Sequence, residues 1–543
     1  MSSFFKQAEL WLAIRQNRLR IKRLAGQVAS HAVPSSQQRP LVFFNASSRL
    51  FGLSQNAAFS LLTSWSLRLA GVPVVHFVCQ EGMRPCVLGT NRQDYTQPPP
   101  CETCIAQSRR LYRSAEIYEF ASQEDAGLKA ALENLDLSEL IQFEYEPGFA
   151  AIRERIPLGA LVLPSLRWAL RRHTLPDDEP TGYLLRQYML SAFNVADKFA
   201  SLLETVKPQA AVIFNGIMYP EAAARWVARQ LGVRSVAHEV GFQPLSVFFT
   251  EGEPTAYPIH IPPDFELTPE QNARLDAYLE KRFQGKFSMA GIQFWPEMRD
   301  LDEGFLKKAA GFRQIVPVFT NVVYDTSQVH ANVIFPHMFA WLDQTLAAIR
   351  AHPETLFVIR AHPDEMRPGT AKQSQESVRA WVKQHGVDQL DNVVFIDSQE
   401  YLSSYALIQR SKFVIVYNSS IGLEASLLGK PVLCAGKARY TQYPTVHLAG
   451  SEAGYRQLVE QFLVSEVLQA PLDYQRQARR FLYYQLYRAS IPLGDYLESI
   501  PRLGFVHLRP FSWEQLLPEN SPSLNTLHRG ILNGEPFLIP EVE

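Results

Sequence analysis

Short apolar runs alternate with amphipathic segments along most of this chain, and most of the runs end in small or polar residues. Runs of this length between turn residues are typical of strands buried on both faces, and the stretches between them predict helices. In the first half the predicted strands are Leu41–Asn45, Val72–Cys79, Ala210–Asn215 and Val233–His238. In the second half they are Ile315–Thr320, Thr355–Arg360, Val393–Ile396, Phe413–Tyr417 and Val432–Ala435.

This alternation predicts an α/β fold with two Rossmann-like, doubly wound domains that face a cleft, together with helical additions. Thr268-Pro269-Glu270-Gln271 has the signature of a helix start, so a helix is expected from there to about Phe283. The predicted divisions are an N-terminal helix over 1–40, a first domain over 41–260 with a cysteine-containing insertion over about 79–110, a linker over 261–312, a second domain over 313–450 and a C-terminal helical segment over 451–543.

Composition narrows the class of protein. A chain of 543 residues is long enough for two large domains, and its net charge of -1 argues against a general nucleic-acid binder. No apolar run reaches transmembrane length, and charges interrupt residues 4–26, so we expect neither a membrane span nor a signal peptide. These expectations favour a cytoplasmic location.

The N-terminal segment mixes basic and apolar residues, among them Trp11, Ile14, Arg18, Lys22 and Arg23. A basic amphipathic helix can lie on an anionic membrane surface, which would place the protein at the inner face of the membrane. The alternative is a helix packed on the body of the protein, with its basic face in solvent.

Four of the five cysteines, Cys79, Cys86, Cys101 and Cys104, lie within one short region, whereas Cys434 belongs to an apolar strand. Four thiolates that include a Cys-x-x-Cys pair fit a structural zinc site. An iron–sulfur cluster would use the same ligands, and unrelated thiols are the remaining alternative.

Polar residues follow the predicted strands of the second half, at the edge where open α/β sheets bind their ligands. They are Thr320, Asn321, Arg360, His362, Asp397, Asn418, Ser419 and Ser420. Arg360 offers a planar donor fork that suits a diphosphate, and His362 adds a donor. The alternative is a surface ion pair beside a hydrogen-bonded histidine.

The segment Val414–Tyr440 (VIVYNSSIGLEASLLGKPVLCAGKARY) predicts a strand, a small polar turn, a helix and a second strand. It places Asn418, Ser419, Ser420 and Gly422 at the start of the helix, where free N–H groups and a positive dipole end suit a phosphate. Serines that only cap the helix are the alternative. Glu424 would accept ribose hydroxyls there, or act as a favourable charge at the helix start.

In the first half, Glu239 and His238 end a predicted strand and are expected to face the cleft, where a general base needs a titratable group. A structural glutamate paired with an arginine is the alternative. Asn45, Ser47, Ser48 and Asn215 are expected at the same edge.

The motifs Arg360-Ala361-His362-Pro363-Asp364-Glu365, Tyr417-Asn418-Ser419-Ser420-Ile421-Gly422-Leu423-Glu424-Ala425 and Gly429-Lys430-Pro431-Val432, followed by Gly436 and Tyr440, resemble the second half of capsule polysaccharide synthesis proteins. That family includes transferases for Kdo-type sugars and has the two-domain GT-B glycosyltransferase fold. The resemblance covers roughly residues 200–445, with sharp motifs only in the second half.

The resemblance implies that Arg360, His362, Ser419, Ser420 and Glu424 hold the nucleotide part of a sugar donor. It implies a glycosyltransferase that extends a cell-surface polysaccharide, with a nucleotide sugar and a glycan or lipid-linked acceptor as partners and without a catalytic metal. A sugar-nucleotide epimerase or hydrolase on the same scaffold, or a non-catalytic assembly protein, stays open as an alternative.

Overall fold

The computed structural model describes residues 2–46, 52–150, 152–286, 298–367, 373–502 and 504–541, with side chains from Leu12 onward. Within these residues the α-helices are Ser2–His31, Gln55–Leu69, Cys101–Leu111, Ala126–Leu132, Leu137–Ile141, Leu158–Leu170, Glu179–Val206, Tyr219–Gln230, Pro269–Phe283, Glu303–Ala309, Met338–Ala351, Val378–Gln384, Ser404–Arg410, Ile421–Leu427, Glu452–Val464, Leu472–Tyr483 and Pro522–Asn533.

The second half of the chain forms a six-stranded parallel sheet, which we call the second sheet. Its strands lie in the spatial order Val393–Ile396, Thr355–Arg360, Gln314–Phe319, Val414–Val416, Val432–Cys434 and His447–Leu448. Numbered along the chain, that order is 3-2-1-4-5-6, the Rossmann arrangement. Alternate strand residues enter two apolar clusters, one on each face, which explains why these strands are nearly continuous apolar runs.

The first half forms a seven-stranded sheet, which we call the first sheet. Its strands lie in the order Glu116–Phe120, Val74–Cys79, Leu41–Phe44, Ala210–Phe214, Arg234–Val240, Ser246–Thr250 and Ile491–Pro492. The first five are parallel and repeat the order 3-2-1-4-5, and the last two join antiparallel. The predicted class, two Rossmann-like doubly wound α/β units, is therefore confirmed.

Three strands of the first sheet were not predicted: Glu116–Phe120, Ser246–Thr250 and Ile491–Pro492. Glu116–Phe120 lies at the sheet edge and exposes Glu116 and Glu119, so it has no continuous apolar run. Ser246–Thr250 lies in a region rich in proline and aromatic residues. The helix expected from Thr268 is present, with a capping box between Thr268 and Gln271.

The C-terminal part of the chain, predicted as a helical segment with a tail, contains three helices and also short strands, and it returns to the first sheet. After a π-helical turn at Tyr484–Arg488, Ile491 pairs with Val247 in the first sheet. A small antiparallel sheet of Leu497–Ser499, Phe505–Leu508 and Leu53–Ser54 follows. Short strands like these carry too few residues to show a periodic pattern.

The N-terminal helix, Ser2–His31, docks on this small sheet. Ile21, Leu24 and Val28 are buried in the core of the first half, and Asn17 Oδ1 accepts a hydrogen bond from the Leu508 N–H at 2.9 Å. Residues 17–28 of this helix are therefore packed on the body of the protein, which is the second of the two alternatives for this segment. Among the described residues, none of the helices combines the length and apolar character that crossing a membrane requires.

We expect Trp341→Ala to destabilise the second half by about 3–5 kcal/mol, because it removes a large buried side chain. Trp341 is fully buried, and its Nε1 donates a 2.7 Å hydrogen bond to the Tyr455 hydroxyl. Urea denaturation would measure the change. The control is Leu472→Ala, whose side chain is 93% exposed; equal effects of the two substitutions would contradict this packing.

Candidate active site

The centre of the second sheet is the point where its strand order reverses. Gln314–Phe319 pairs there with Val414–Val416, although a strand-helix excursion separates them in the chain. Connections leave this pair in opposite directions, so a crevice opens beyond the carboxyl ends of the two strands. Asn321 and Asn418 follow the two strands, and Asn321 Nδ2 donates a 2.6 Å hydrogen bond to Asn418 Oδ1 across the crevice.

The crevice is part of a cavity of about 470 Å³ between the first and second sheets, which we call the inter-sheet cavity. Nine predicted site residues line it together: Glu239, Thr320, Asn321, Arg360, His362, Asn418, Ser419, Ser420 and Glu424. These side chains come from four separate segments of the chain, which the fold brings to one cavity.

Arg360 ends the strand next to the switch point and is only 3% exposed. Its Nη2 donates to the carbonyl of Glu400 at 2.9 Å, and its own carbonyl accepts from the Thr320 hydroxyl at 3.0 Å. Burial lowers the pKa of Arg360 to about 10, so the group remains a cation at neutral pH. A buried cation at the cavity wall is suited to an anionic ligand.

His362 lies on the same wall, two residues beyond Arg360. Its Nδ1 accepts a 3.1 Å hydrogen bond from the Asp364 N–H. Because Nδ1 is the acceptor, a neutral His362 carries its proton on Nε2 and keeps a donor at that atom.

The serine turn differs in detail from the expectation. Ser420 makes no side-chain capping bond, and the helix that follows, Ile421–Leu427, has only seven residues. Its dipole is correspondingly small. The turn is fixed instead by the Tyr440 hydroxyl, which donates to the Ser419 carbonyl at 2.7 Å. Positive charge at this edge of the sheet is therefore supplied by the Arg360 side chain more than by the short helix.

Glu424 lies in the first turn of the helix Ile421–Leu427, as one of its two predicted roles requires, and it also belongs to a buried network. Its Oε1 accepts from Arg282 Nη2 and its Oε2 from the Tyr405 hydroxyl, each at 2.6 Å. Burial alone would lower the pKa of Arg282, but the Glu424 carboxylate raises it overall, which keeps the pair ionic. All three residues of the network line the inter-sheet cavity.

Glu239 lies at the junction of two cavities. It lines the inter-sheet cavity and also a second cavity of about 450 Å³, which lies mainly against the first sheet and which we call the first-sheet cavity. Its Oε2 accepts a 2.7 Å hydrogen bond from Asn215 Nδ2, and its Oε1 accepts from the Val240 N–H at 2.8 Å. Asn215 holds a left-handed backbone, with φ 59°, at the end of its strand. The carboxylate is thus held in a defined orientation.

Two predicted residues lie elsewhere. His238 does not face the cleft: it is 1% exposed and stacks on Phe249 within the first sheet, because its neighbour Glu239 takes the cleft-facing direction of the strand. Burial lowers the pKa of His238 to about 3, so it stays neutral. Gly422 does not border the cavity either. A Cβ there would lie 2.4 Å from the Tyr440 hydroxyl, so this glycine permits close helix packing.

Ser47 and Ser48 lie outside the described residues. Asn45 is described, and its Nδ2 lies 2.9 Å from His76 Nδ1. It does not line either cavity.

Sequence reasoning missed Arg171, which the first half contributes to the inter-sheet cavity. It is 4% exposed, and its Nε and Nη1 are buried with no hydrogen-bond partner in the described part of the chain. Its guanidinium lies 3.9 Å from the ring centre of Trp168 and 5.1 Å from that of Tyr324. Burial, with the charge of Arg92, lowers its pKa to about 10. A buried guanidinium with spare donors is arranged to receive an oxyanion.

The backbone of Arg171 explains how this side chain is placed. The residue ends the helix Leu158–Leu170 in the left-handed conformation, with φ 57°. Its carbonyl accepts a 2.8 Å hydrogen bond from the N–H of Gln375, in the second half. Arginine does not favour this conformation, so no local pattern in the sequence signals it.

A further arginine joins the two halves. Arg439 lies in the second half, within the motif segment, and its guanidinium lies 4.4 Å from the ring centre of Phe242 and 5.4 Å from that of Tyr257 in the first half. Cation–π contacts of this kind fix the position of a positive charge without neutralising it.

All four clustered cysteines line the first-sheet cavity. Within the described residues, no group of three or more His, Cys, Asp or Glu side chains is arranged to hold a metal ion. The zinc site stays a prediction.

Comparisons with solved structures give matches of low sequence identity and low TM-score. The β-Kdo 2,4-transferase KpsC of Thermosulfurimonas dismutans is 16% identical over 52% of this chain and 80% of its own, with a TM-score of 0.35. The β-Kdo 2,7-transferase KpsC of the same organism is 15% identical over 59% and 86%, with a TM-score of 0.33. UDP-GlcNAc 2-epimerase from Neisseria meningitidis, solved with UDP-GlcNAc, is 14% identical over 82% and 96%, with a TM-score of 0.25.

A search of curated proteins finds no match. The family model "Capsule polysaccharide biosynthesis protein" matches residues 294–445, the segment that contains the arginine–histidine pair and the serine turn. The resemblance that these motifs indicate is therefore confirmed over this segment: residues 294–445 are similar in sequence to capsule polysaccharide biosynthesis proteins.

Proposed function

We propose that the protein is a GT-B glycosyltransferase that moves a sugar from a nucleotide-activated donor to a cell-surface polysaccharide or a lipid-linked glycan. The observation that carries the proposal is the position of Glu239. Its carboxylate borders both cavities, one of which has buried cations at a Rossmann switch point. A transferase needs such a group where donor and acceptor meet.

The donor nucleotide would bind at the second sheet. Its diphosphate or monophosphate would lie against Arg360 and beside Asn321, Asn418 and Ser420, and His362 Nε2 would add a donor. Charge develops on the phosphate as the sugar leaves, and preorganised cations in a partly dry cavity stabilise it. The proposal assigns this charge stabilisation to arginine and requires no catalytic metal.

The acceptor would bind at the first sheet. Its hydroxyl would approach Glu239, which takes the proton as the new glycosidic bond forms. Asn215 would hold the carboxylate in place, a positioning role that follows from its 2.7 Å hydrogen bond. Selection of the sugar would depend on the residues around Trp168, Asp325 and Arg171, which line the cavity.

Replacing Arg360 with alanine should weaken binding of the nucleotide sugar about tenfold to a hundredfold, as expected for the loss of a charged hydrogen bond. Isothermal titration calorimetry would measure this change in affinity. A panel of UDP, CMP and GDP sugars is used because the proposal does not name the nucleotide. The matched control is Arg410→Ala, because Arg410 is exposed and ends the helix Ser404–Arg410 in the same half of the chain. Equal donor affinity in wild type and the Arg360 variant would refute the donor site.

Replacing Glu239 with glutamine should lower kcat by about 10²–10⁴, the usual contribution of a general base, and leave donor affinity unchanged. The exposed Glu133→Gln serves as the control. Full turnover in the Glu239 variant would eliminate it as the base. The same assay without acceptor separates the alternatives, because turnover of donor alone favours an epimerase or hydrolase.

Replacing Arg171 with glutamine should weaken binding of an anionic substrate about tenfold, because one charged hydrogen bond is lost. Titrating the free nucleotide and the intact sugar nucleotide separately shows whether Arg171 meets the phosphate or the sugar. The exposed Arg153→Gln is the control. Unchanged affinity for donor and for acceptor would rule out an anion-binding role for Arg171.

A further inference from the structure

A short segment of the second half, residues 374–376, is hydrogen-bonded to the first half beside Arg171, and we call it the strap. Its Glu376 carboxylate accepts three hydrogen bonds from the loop that follows Arg171. The N–H groups of His173 and Thr174 donate to Oε2 at 2.8 and 2.9 Å, and the Thr174 hydroxyl donates to Oε1 at 2.7 Å. Hydrogen bonds to an ionised acceptor are stronger than those between neutral groups. One carboxylate of the second half thus fixes a loop of the first half.

The backbone of Arg171 is held by the same strap. Its carbonyl accepts a hydrogen bond from the Gln375 N–H at 2.8 Å and another from the Ser374 hydroxyl at 3.3 Å. Arg171 has φ 57°, a left-handed conformation that is unfavourable for a residue other than glycine and persists only where surrounding contacts impose it. The strap supplies such contacts at Arg171 itself and again two and three residues further on.

The strap is anchored in the segment that carries the arginine–histidine pair of the second half. The carbonyl of Glu365 accepts from the Ser374 N–H at 2.9 Å, and its Oε1 accepts from the Val378 N–H at 2.9 Å. The N–H of Glu365 donates in turn to the His362 carbonyl at 3.0 Å. A continuous series of hydrogen bonds therefore leads from His362, on one wall of the inter-sheet cavity, to Arg171 on the other.

The charge of Glu376 also acts on a second cation of the first half. Arg167 lies four residues before Arg171 in the helix Leu158–Leu170, and its Nε donates to the His173 carbonyl at 3.0 Å. Burial lowers the pKa of Arg167, and the nearby Glu376 carboxylate acts in the opposite direction. Removing Glu376 would therefore release the loop and also remove a negative charge that stabilises this helix end.

We propose that Glu376 is a positioning residue for Arg171: it holds the loop after Arg171 against the second half, so that the Arg171 guanidinium borders the inter-sheet cavity. Glu376 itself does not line that cavity, so it acts through Arg171 and not by contact with a ligand. The anion-binding role of Arg171 belongs to the proposed function, and this proposal rests on it. The anion site would then be complete only when the two halves are in contact.

A double-mutant cycle tests this coupling by calorimetry with the panel of UDP, CMP and GDP sugars. Glu376→Ala should weaken binding about tenfold, as Arg171→Gln does, because both changes take the same guanidinium out of use. The double variant should bind no more weakly than Arg171→Gln alone. The control is Glu466→Ala, because Glu466 is exposed in the same half of the chain. Additive losses, about a hundredfold in total, would show that Glu376 acts independently of Arg171 and would overturn the proposal.

A second readout needs no ligand. The Arg171 guanidinium lies 3.9 Å from the ring centre of Trp168, so displacing it changes the surroundings of that indole. The emission of Trp168 is obtained by comparing each chain with its Trp168→Phe counterpart, because the protein contains eight tryptophans. Glu376→Ala should shift this emission in the same direction as Arg171→Gln. Emission identical to that of the wild type in Glu376→Ala would overturn the positioning role.

The two readouts separate this proposal from the proposed function. If Arg171→Gln leaves every affinity unchanged, Arg171 has no anion-binding role, and the Trp168 emission still decides whether Glu376 positions its side chain. If Glu376→Ala does not fold, Thr174→Val replaces it, because it removes only the hydroxyl bond to Oε1 from an exposed residue. That variant should weaken binding about threefold and shift the Trp168 emission in the same direction. No change in either quantity would overturn the proposal.

Discussion

The pairing of Gln314–Phe319 with Val414–Val416 is the constraint on which the candidate site depends. These neighbours in space are separated by about a hundred residues in the chain, and their connections run to opposite sides of the sheet. The crevice between them results from the strand order and not from any single side chain. The crevice is lined by Asn321, Asn418 and Arg360 because their strands end at the same edge of the sheet. A shift of strand register would move each of these side chains away from the crevice.

Charge burial gives this crevice its chemical character. Removing a cation from water is costly unless a partner replaces the lost hydration. Arg282 has such a partner in Glu424, whereas Arg171 keeps two buried nitrogens without one among the described residues. An anionic substrate would supply the missing interaction. The free energy that burial of Arg171 costs in the free protein would then be recovered on substrate binding. This pattern is typical of binding sites and rare in purely structural cores.

The strands of the second half could be predicted from the sequence because they are buried on both faces. Thr355–Arg360 and Val393–Ile396 agree with their predicted bounds, since an apolar run between turn residues has one simple explanation. The edge strand Glu116–Phe120 and the returning strand Ile491–Pro492 lack such runs. The position of Arg171 could not be predicted for a different reason. It depends on a left-handed backbone conformation and on contacts with two aromatic rings, which exist only in the folded chain.

A crystal structure with a bound nucleotide sugar tests the account most directly. It predicts the phosphate groups within hydrogen-bond distance of Arg360, beside Asn321 and Asn418, with the sugar directed toward Glu239. A nucleotide bound away from this crevice, or phosphates with no contact to Arg360, would contradict the account.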